Sequence, residues 1–248
     1  VGTTPPTIQA TGKVFINEFV VRPAQGTCTG TPDGINPNSG EWVELYNAGP
    51  GNVDISGWII ADGDWTGTIP AGTMLNAGLH YLIGGGSTFC SSGVTPDLNL
   101  ETCNCATVDA GSDMMNLTNG GEQLALFDCS GTYIDGVLWG SGQAIPDVTN
   151  NNAPATGCGN YIPAKSVSLP AAASFASSGS IASPNSGKYR SSTNTWITTS
   201  STAITPKALN PGGNWNGATV NFGTQCPPPP VTSTLNVTIP DTCAQNNS

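Results

Sequence analysis

Hydrophobic and polar positions alternate over residues 41–46: Trp42, Glu44 and Tyr46 fall on one side, Val43 and Leu45 on the other. Period two is the signature of a half-buried strand. Asn47-Ala-Gly-Pro-Gly-Asn52 is dense in turn formers, so the chain reverses there. Val53 and Ile55 then share a side, and Gly57-Trp-Ile-Ile60 opens a further strand that ends at Ala61-Asp-Gly-Asp64. Around this unit the same reading predicts a first core strand over 13–22, with Val14, Ile16 and either Phe19 or Val20 inward. It predicts a turn at 61–65 leading into a strand that ends near Ile69-Pro70, and a strand at His80–Ile83 stopped by Gly84-Gly-Gly86. Residues 120–128 and 132–139 read as a hairpin bent at Cys129-Ser-Gly131. Residues 1–12 read as an extended arm, 23–40 as a loop, and 140–187 as an irregular segment.

The last stretch carries a second clear pattern. Val231, Leu235, Val237 and Ile239 share one face, and Thr232, Thr234, Asn236 and Thr238 the other. This is a strand about 30 Å long at the usual rise, preceded by the stiff spacer Pro227-Pro228-Pro229-Pro230. An isolated strand is unstable in water. It therefore folds back on its own sandwich or adds to a neighbouring subunit's sheet edge.

Several of these stretches together resemble the lamin-tail domain. They are Ile16-Asn-Glu-Phe19, Glu41-Trp-Val-Glu-Leu45 with Asn47, Val53-Asp-Ile-Ser-Gly-Trp58, Ile69-Pro-Ala-Gly-Thr73, Tyr81-Leu-Ile83, Glu122-Gln-Leu-Ala-Leu126, Ile134-Asp-Gly-Val137 and Thr205-Pro-Lys-Ala-Leu-Asn210. The resemblance covers roughly residues 13–212 and implies an all-β, immunoglobulin-like sandwich. The organisation expected is an arm at 1–12, a sandwich over 13–212 with a cysteine-bearing insertion at 87–113, and an extension over 213–248. The family also implies occurrence in secreted or surface-attached bacterial proteins. It implies no reaction, because a fold is a scaffold for many functions.

Composition narrows the function classes. Charged residues make up 9% of the chain, against roughly 25% in an average soluble domain. The net charge is −10, and the six basic residues are scattered apart from Lys188-Tyr-Arg190. A phosphate backbone needs a basic stripe, so no nucleic-acid partner is expected. The same shortage disfavours docking on anionic membranes, and no apolar run is long enough for membrane insertion as a helix. The chain starts at Val1, which reads as a mature end or the residue after a removed leader. Eight cysteines, at Cys28, Cys90, Cys103, Cys105, Cys129, Cys158, Cys226 and Cys243, suggest disulfides and an oxidising compartment. Their pairing is open, with Cys226–Cys243 one local option. Cys103-Asn-Cys105 is a poor zinc motif, so no metal is expected there.

Candidate chemistry is sparse. The single histidine, His80, would have to serve any triad, yet no G-x-S-x-G elbow accompanies it. Glu18, Glu41 and Glu44 would supply a carboxylate pair for glycoside hydrolysis, or hydrogen bonds inside the sandwich. Asp62 and Asp64, with Asp54 or Asp33, offer hard oxygens to calcium or form a solvated turn. Asn116-Leu-Thr118 and Asn236-Val-Thr238 match the glycosylation acceptor. Trp42 and Trp58 lie in strand motifs, whereas Trp65 and Trp215 sit in polar loops and are candidates for a ligand-binding surface. The leading expectation is a non-enzymatic extracellular structural subunit without cofactors. Copies of it would join into a homopolymer, surface filament or sheath through strand 231–239, hardened by disulfides. The alternatives are a secreted adhesion module for glycans or cell-surface proteins, and an accessory domain of a larger secreted hydrolase.

Overall fold

A computed structural model describes residues 12–21, 41–62, 65–84, 94–100, 106–108, 115, 117, 120–140, 176–177, 179, 181, 185–200 and 203–220. Among these residues all regular structure is strand, and no helix is long and apolar enough to cross a membrane. The strands are β1 (Val14–Val20), β2 (Trp42–Asn47), β3 (Val53–Asp54), β4 (Ile59–Ala61), β5 (Trp65–Thr68), β6 (Met74–Leu75) and β7 (His80–Gly84). They continue as β8 (Leu98–Asn99), β9 (Ala106–Val108), β10 (Gly121–Phe127), β11 (Tyr133–Gly140), β12 (Ala176–Ser177), β13 (Asn185–Arg190) and β14 (Trp196–Ser200).

Two six-stranded sheets form, in the orders β14-β13-β1-β2-β7-β8 and β12-β11-β10-β4-β5-β9; β3 and β6 pair separately. One core lies between the sheets. It holds Phe19, Val43, Leu45 and Ile83 of the first sheet together with Ile60, Trp65, Leu124, Val137 and Trp139 of the second. The alternation read in β2 is present, but its second face is also buried. Trp42 packs with Val20, Leu82, Val94 and Ile204, and Glu44 is fully buried. The half-buried strand of the sequence reading is therefore covered on both sides, because residues 94–97 and 203–207 lie over the outer face of the first sheet.

A bulge explains why the sequence left β1 ambiguous. The register against β2 shifts between Ile16 and Glu18, and one extra residue changes which parity faces inward. Val14 and Ile16 enter the core before it, Phe19 and Val21 after it, while Val20 joins the outer cluster. The hairpin β10–β11 forms as read. Asp128 Oδ1 accepts from the amides of Ser130 and Thr132 at 2.8 and 2.9 Å, and Gly131 takes φ +81° at the bend. The 87–113 insertion is not wholly loop: β8 and β9 extend one edge of each sheet.

Two sequence expectations are corrected here. Trp65 is not in a loop: it lies on β5 with no exposed surface. Trp215 does lie in irregular chain, but it is only 6% exposed, its ring 4.9 Å from that of Phe15. Neither offers a stacking platform, since both bury their ring faces in the core. Trp215 and Val220, in the stretch read as the start of the C-terminal extension, belong to the sandwich core.

Candidate functional site

The densest polar construction fixes the closing segment, residues 203–215, onto β1 and β2. Glu18 and Glu44 stand opposite each other across the β1–β2 ladder, both with no exposed surface. The Thr205 amide donates to Glu18 Oε1 and Oε2 at 3.3 and 3.2 Å. The Lys207 amide donates to Glu44 Oε2 at 2.5 Å, and Asn17 Nδ2 donates to Glu44 Oε1 at 3.0 Å. Asn210 Nδ2 donates to the Arg190 carbonyl at 2.9 Å and to Asn17 Oδ1 at 3.1 Å. The Asn210 amide donates to Asn214 Oδ1 at 2.9 Å, which turns Asn214 Nδ2 toward His80 Nε2, 2.8 Å away.

Burial governs the electrostatics. It pushes the Glu18 carboxyl up to about 7 against the hydrogen bonds from Thr205, and the Glu44 carboxyl up to about 8, with Glu18 and Asp97 adding like charge. Two carboxylates facing across a ladder resist joint ionisation. Thr205 Oγ1 lies 3.0 Å from both Glu18 Oε2 and Asn210 Oδ1. A hydroxyl carries one proton, so Thr205 donates to Glu18 or to Asn210 at any one time. Burial lowers His80 to about 4. The neutral ring accepts from Asn214 and lies 4.7 Å from the Tyr46 ring, centroid to centroid. His80 Nε2 also lies 3.8 Å from Glu44 Oε1.

A second construction joins the sheets. Arg190 on β13 forks onto Asp135 on β11, Nη1 to Oδ2 at 2.9 Å and Nη2 to Oδ1 at 3.1 Å. The Ile16 amide also donates to Asp135 Oδ2, at 3.0 Å. The guanidinium carbon sits 4.7, 4.9 and 5.3 Å from the ring centroids of Trp196, Trp215 and Phe15. A third centres on Asn47, at the end of β2. Its Oδ1 accepts from the amides of Lys13 and Gly49, and its Nδ2 donates to the carbonyls of Gly51 and Leu75. All four of its bonding positions are used. Asn47→Ala is expected to cost about 4 kcal/mol at roughly 1 kcal/mol per bond, read by urea denaturation. Asn47→Asp is expected to cost no less, because it sets a carboxylate oxygen against two carbonyls.

Among the described residues, the carboxylates singled out in the sequence bond to the chain's own amides. Glu41, with a carboxyl pushed up to about 9 by burial, accepts from the Leu117 amide at 2.6 Å. Asp62 Oδ1 accepts from the Trp65 amide at 3.0 Å, and Asp54 Oδ1 from the Ser56 amide at 3.0 Å. Asp33, Asp64, Asn116 and Asn236 lie outside the described residues, as do Pro227–Pro230 and the strand residues Val231, Leu235, Val237 and Ile239. Among the described residues no group of three or more His, Cys, Asp or Glu is placed to hold a metal. Cys129 is disulfide-bonded; the other seven cysteines lie outside the described residues. The sequence reading missed Arg190–Asp135 and the hub at Asn210. The pair Lys188-Tyr-Arg190, a basic cluster beside an aromatic residue on a strand, was the available signal for the first. For the second there was only the quoted segment ending at Asn210.

The family model of the Lamin Tail Domain matches residues 7–141, more than half of the 248-residue chain. The chain belongs to that family. No curated protein matches it. The lamin-tail match takes in β1 to β11 and begins inside the segment read as an N-terminal arm. The strands and closing segment beyond residue 141 complete this lamin-tail sandwich. The lamin-tail family is immunoglobulin-like and non-catalytic, which fits a structural or adhesion-type module.

Proposed function

We propose that this chain is a non-enzymatic extracellular structural subunit that polymerises through its C-terminal tail. The observation that carries the reading is the alternating pattern of residues 231–239 beyond the closing segment. Residues 203–215 fasten the outer face of the first sheet, and Val220 packs in the core. These contacts of the described residues precede Pro227, and the alternating segment 231–239, which as a strand needs a sheet edge to pair with, would supply the link. The even cysteine count supports an oxidising, extracellular setting in which cross-links harden the module. The buried glutamates support the absence of catalysis, being occupied by the chain's own amides. The burial of Trp65 and Trp215 removes the tryptophan surface on which glycan binding rested.

Removal of residues 227–248 is expected to convert a sedimenting polymer into a monomer whose melting temperature matches that of the full chain. Sedimentation of both proteins under non-reducing conditions checks this. Equal polymerisation of the two would contradict it.

A further inference from the structure

We propose that residues 204–209 form a strap that lifts from the first sheet when Glu18 and Glu44 ionise together, baring the apolar patch beneath it. This is a different surface from the C-terminal tail, and the inference does not rest on the assembly reading. The strap runs between two fixed points. Before it, Ser200 ends β14, and its carbonyl accepts from the Ala203 amide at 3.0 Å. After it, Asn210 is 2% exposed and bonds to Asn17 Oδ1 and the Arg190 carbonyl. Among the described residues, every hydrogen bond from 204–209 to chain before residue 200 ends on a carboxylate. Thr205 is bound to Glu18, the Lys207 amide to Glu44, and Lys207 Nζ to Asp97 Oδ1 at 2.7 Å. A strand in a ladder is held by main-chain bonds that pH does not touch; this strap hangs on groups that titrate.

The charges around the pair set the direction. Glu18 stands opposite Glu44 on β2 and Tyr189 on β13. Glu44 meets Asn17, Leu82 on β7, the Lys207 amide and His80 Nε2, with Asp97 adding like charge. Lys207 Nζ brings a positive charge, but it sits on Asp97 in a partly exposed pair. Burial raises Glu18 to about 7 and Glu44 to about 8. His80, lowered to about 4, is neutral over that interval and offers no countercharge. Lifting the strap lets water reach both carboxylates. Opening therefore releases protons and grows easier as the pH rises through those values.

The closed strap also holds a strained residue and little apolar grip. Lys207 has φ +58°, a left-handed conformation that is unfavourable for a residue with a Cβ. Its amide is bound to Glu44 in that conformation, and the Ala208 amide closes the turn onto the Thr205 carbonyl at 3.0 Å. Lys207, Ala208 and Leu209 are exposed, Leu209 by 63%, so this half of the strap buries little apolar surface. Ile204 is the strap residue that packs on Val20, Trp42 and Leu82, beside Val94. Release bares that side of the cluster, and a covered polar face of the sheet becomes a partly apolar one in mildly alkaline solution.

The test uses the full chain and limited trypsin cleavage after Lys207, which requires the strap to leave the sheet. The rate, normalised at each pH to that of a free lysine peptide, should rise at least tenfold from pH 6.5 to 9. Mass spectrometry should show Ala208 as the new first residue. Glu44→Gln, which keeps a carbonyl acceptor and removes the titration, should lose most of the rise. Hydrogen exchange of the wild-type protein separates local release from unfolding of the whole domain: the amides of Thr205 and Lys207 should be less protected than those of Leu124 and Leu126 on β10 at every pH. The two wild-type readouts decide the matter even if Glu44→Gln fails to fold. A normalised rate that does not change with pH, a Glu44→Gln rate that rises as steeply as that of wild type, or equal protection of the two sets of amides would overturn the assignment.

Discussion

Arg190→Ala is expected to destabilise the protein by about 3–5 kcal/mol, the range for breaking a buried ion pair from one side. Arg190 is 2% exposed and its partner carboxylate 13%. Removing the guanidinium leaves Asp135 with the Ile16 amide but without its two charged donors. It also empties the space among Phe15, Trp196 and Trp215. Asp135→Ala is expected to cost a similar amount by stranding the cation among those rings. Arg190→Lys should recover only part of the loss, because an ammonium cannot supply two parallel donors to one carboxylate. Replacing both partners, Arg190→Met with Asp135→Leu, should cost less than either alanine substitution, since no buried charge is left alone. Urea denaturation of the five proteins measures this. A loss under about 1 kcal/mol for Arg190→Ala, the level of a surface pair, would contradict the placement of this pair as the inter-sheet joint.

Stability is expected to fall as the pH rises from 6.5 to 9. The glutamates decide the sign. Glu18, Glu41 and Glu44 move from 4.5 to about 7, 9 and 8 on folding, chiefly through burial. A carboxyl whose folded value is raised binds more protons in the folded state. Its contribution is complete below 4.5 and is lost as the pH passes through the folded value. His80 acts in the opposite direction, since its value falls from 6.5 to about 4, and its contribution is lost as the pH falls through that interval. Above 6.5 His80 is largely neutral in both states; burial also lowers Lys188, which works against the glutamates, and the three glutamates outnumber it. Glu44 accounts for roughly 2 kcal/mol of the decline at about 1.4 kcal/mol per pH unit. Glu44→Gln, which keeps the shape and removes the proton, should flatten the curve and exceed wild-type stability at pH 9. Melting temperatures at pH 6.5 to 9 check both statements. A wild-type curve that rises with pH, or a Glu44→Gln curve parallel to it, would contradict them.

How much of this was legible in the sequence depended on the range of the interaction. Period two marked β2, β7 and the β10–β11 hairpin because alternation and turn residues act over a few positions. The β1 bulge was not legible, since its register shift is set by the partner strand, and the sequence could show only that Phe19 and Val20 competed. Trp65 was placed in a loop because Asp62-Gly-Asp64 dominates its surroundings; the edge strand β9 that pairs with it comes from the distant insertion. Trp215 stands among glycine and asparagine, and its burial follows from Phe15 and Arg190, which are far away in the chain. The glutamates were visible, but not the donors that occupy them, because Thr205 and Lys207 reach Glu18 and Glu44 across more than 160 residues.

Electron microscopy of the non-reduced full chain, beside the same chain cut before Pro227, tests the central claim most directly. The account predicts fibres from the full chain and single particles of one sandwich from the shortened one. Fibres from both, or separate sandwiches from both, would contradict the assignment of the tail as the link.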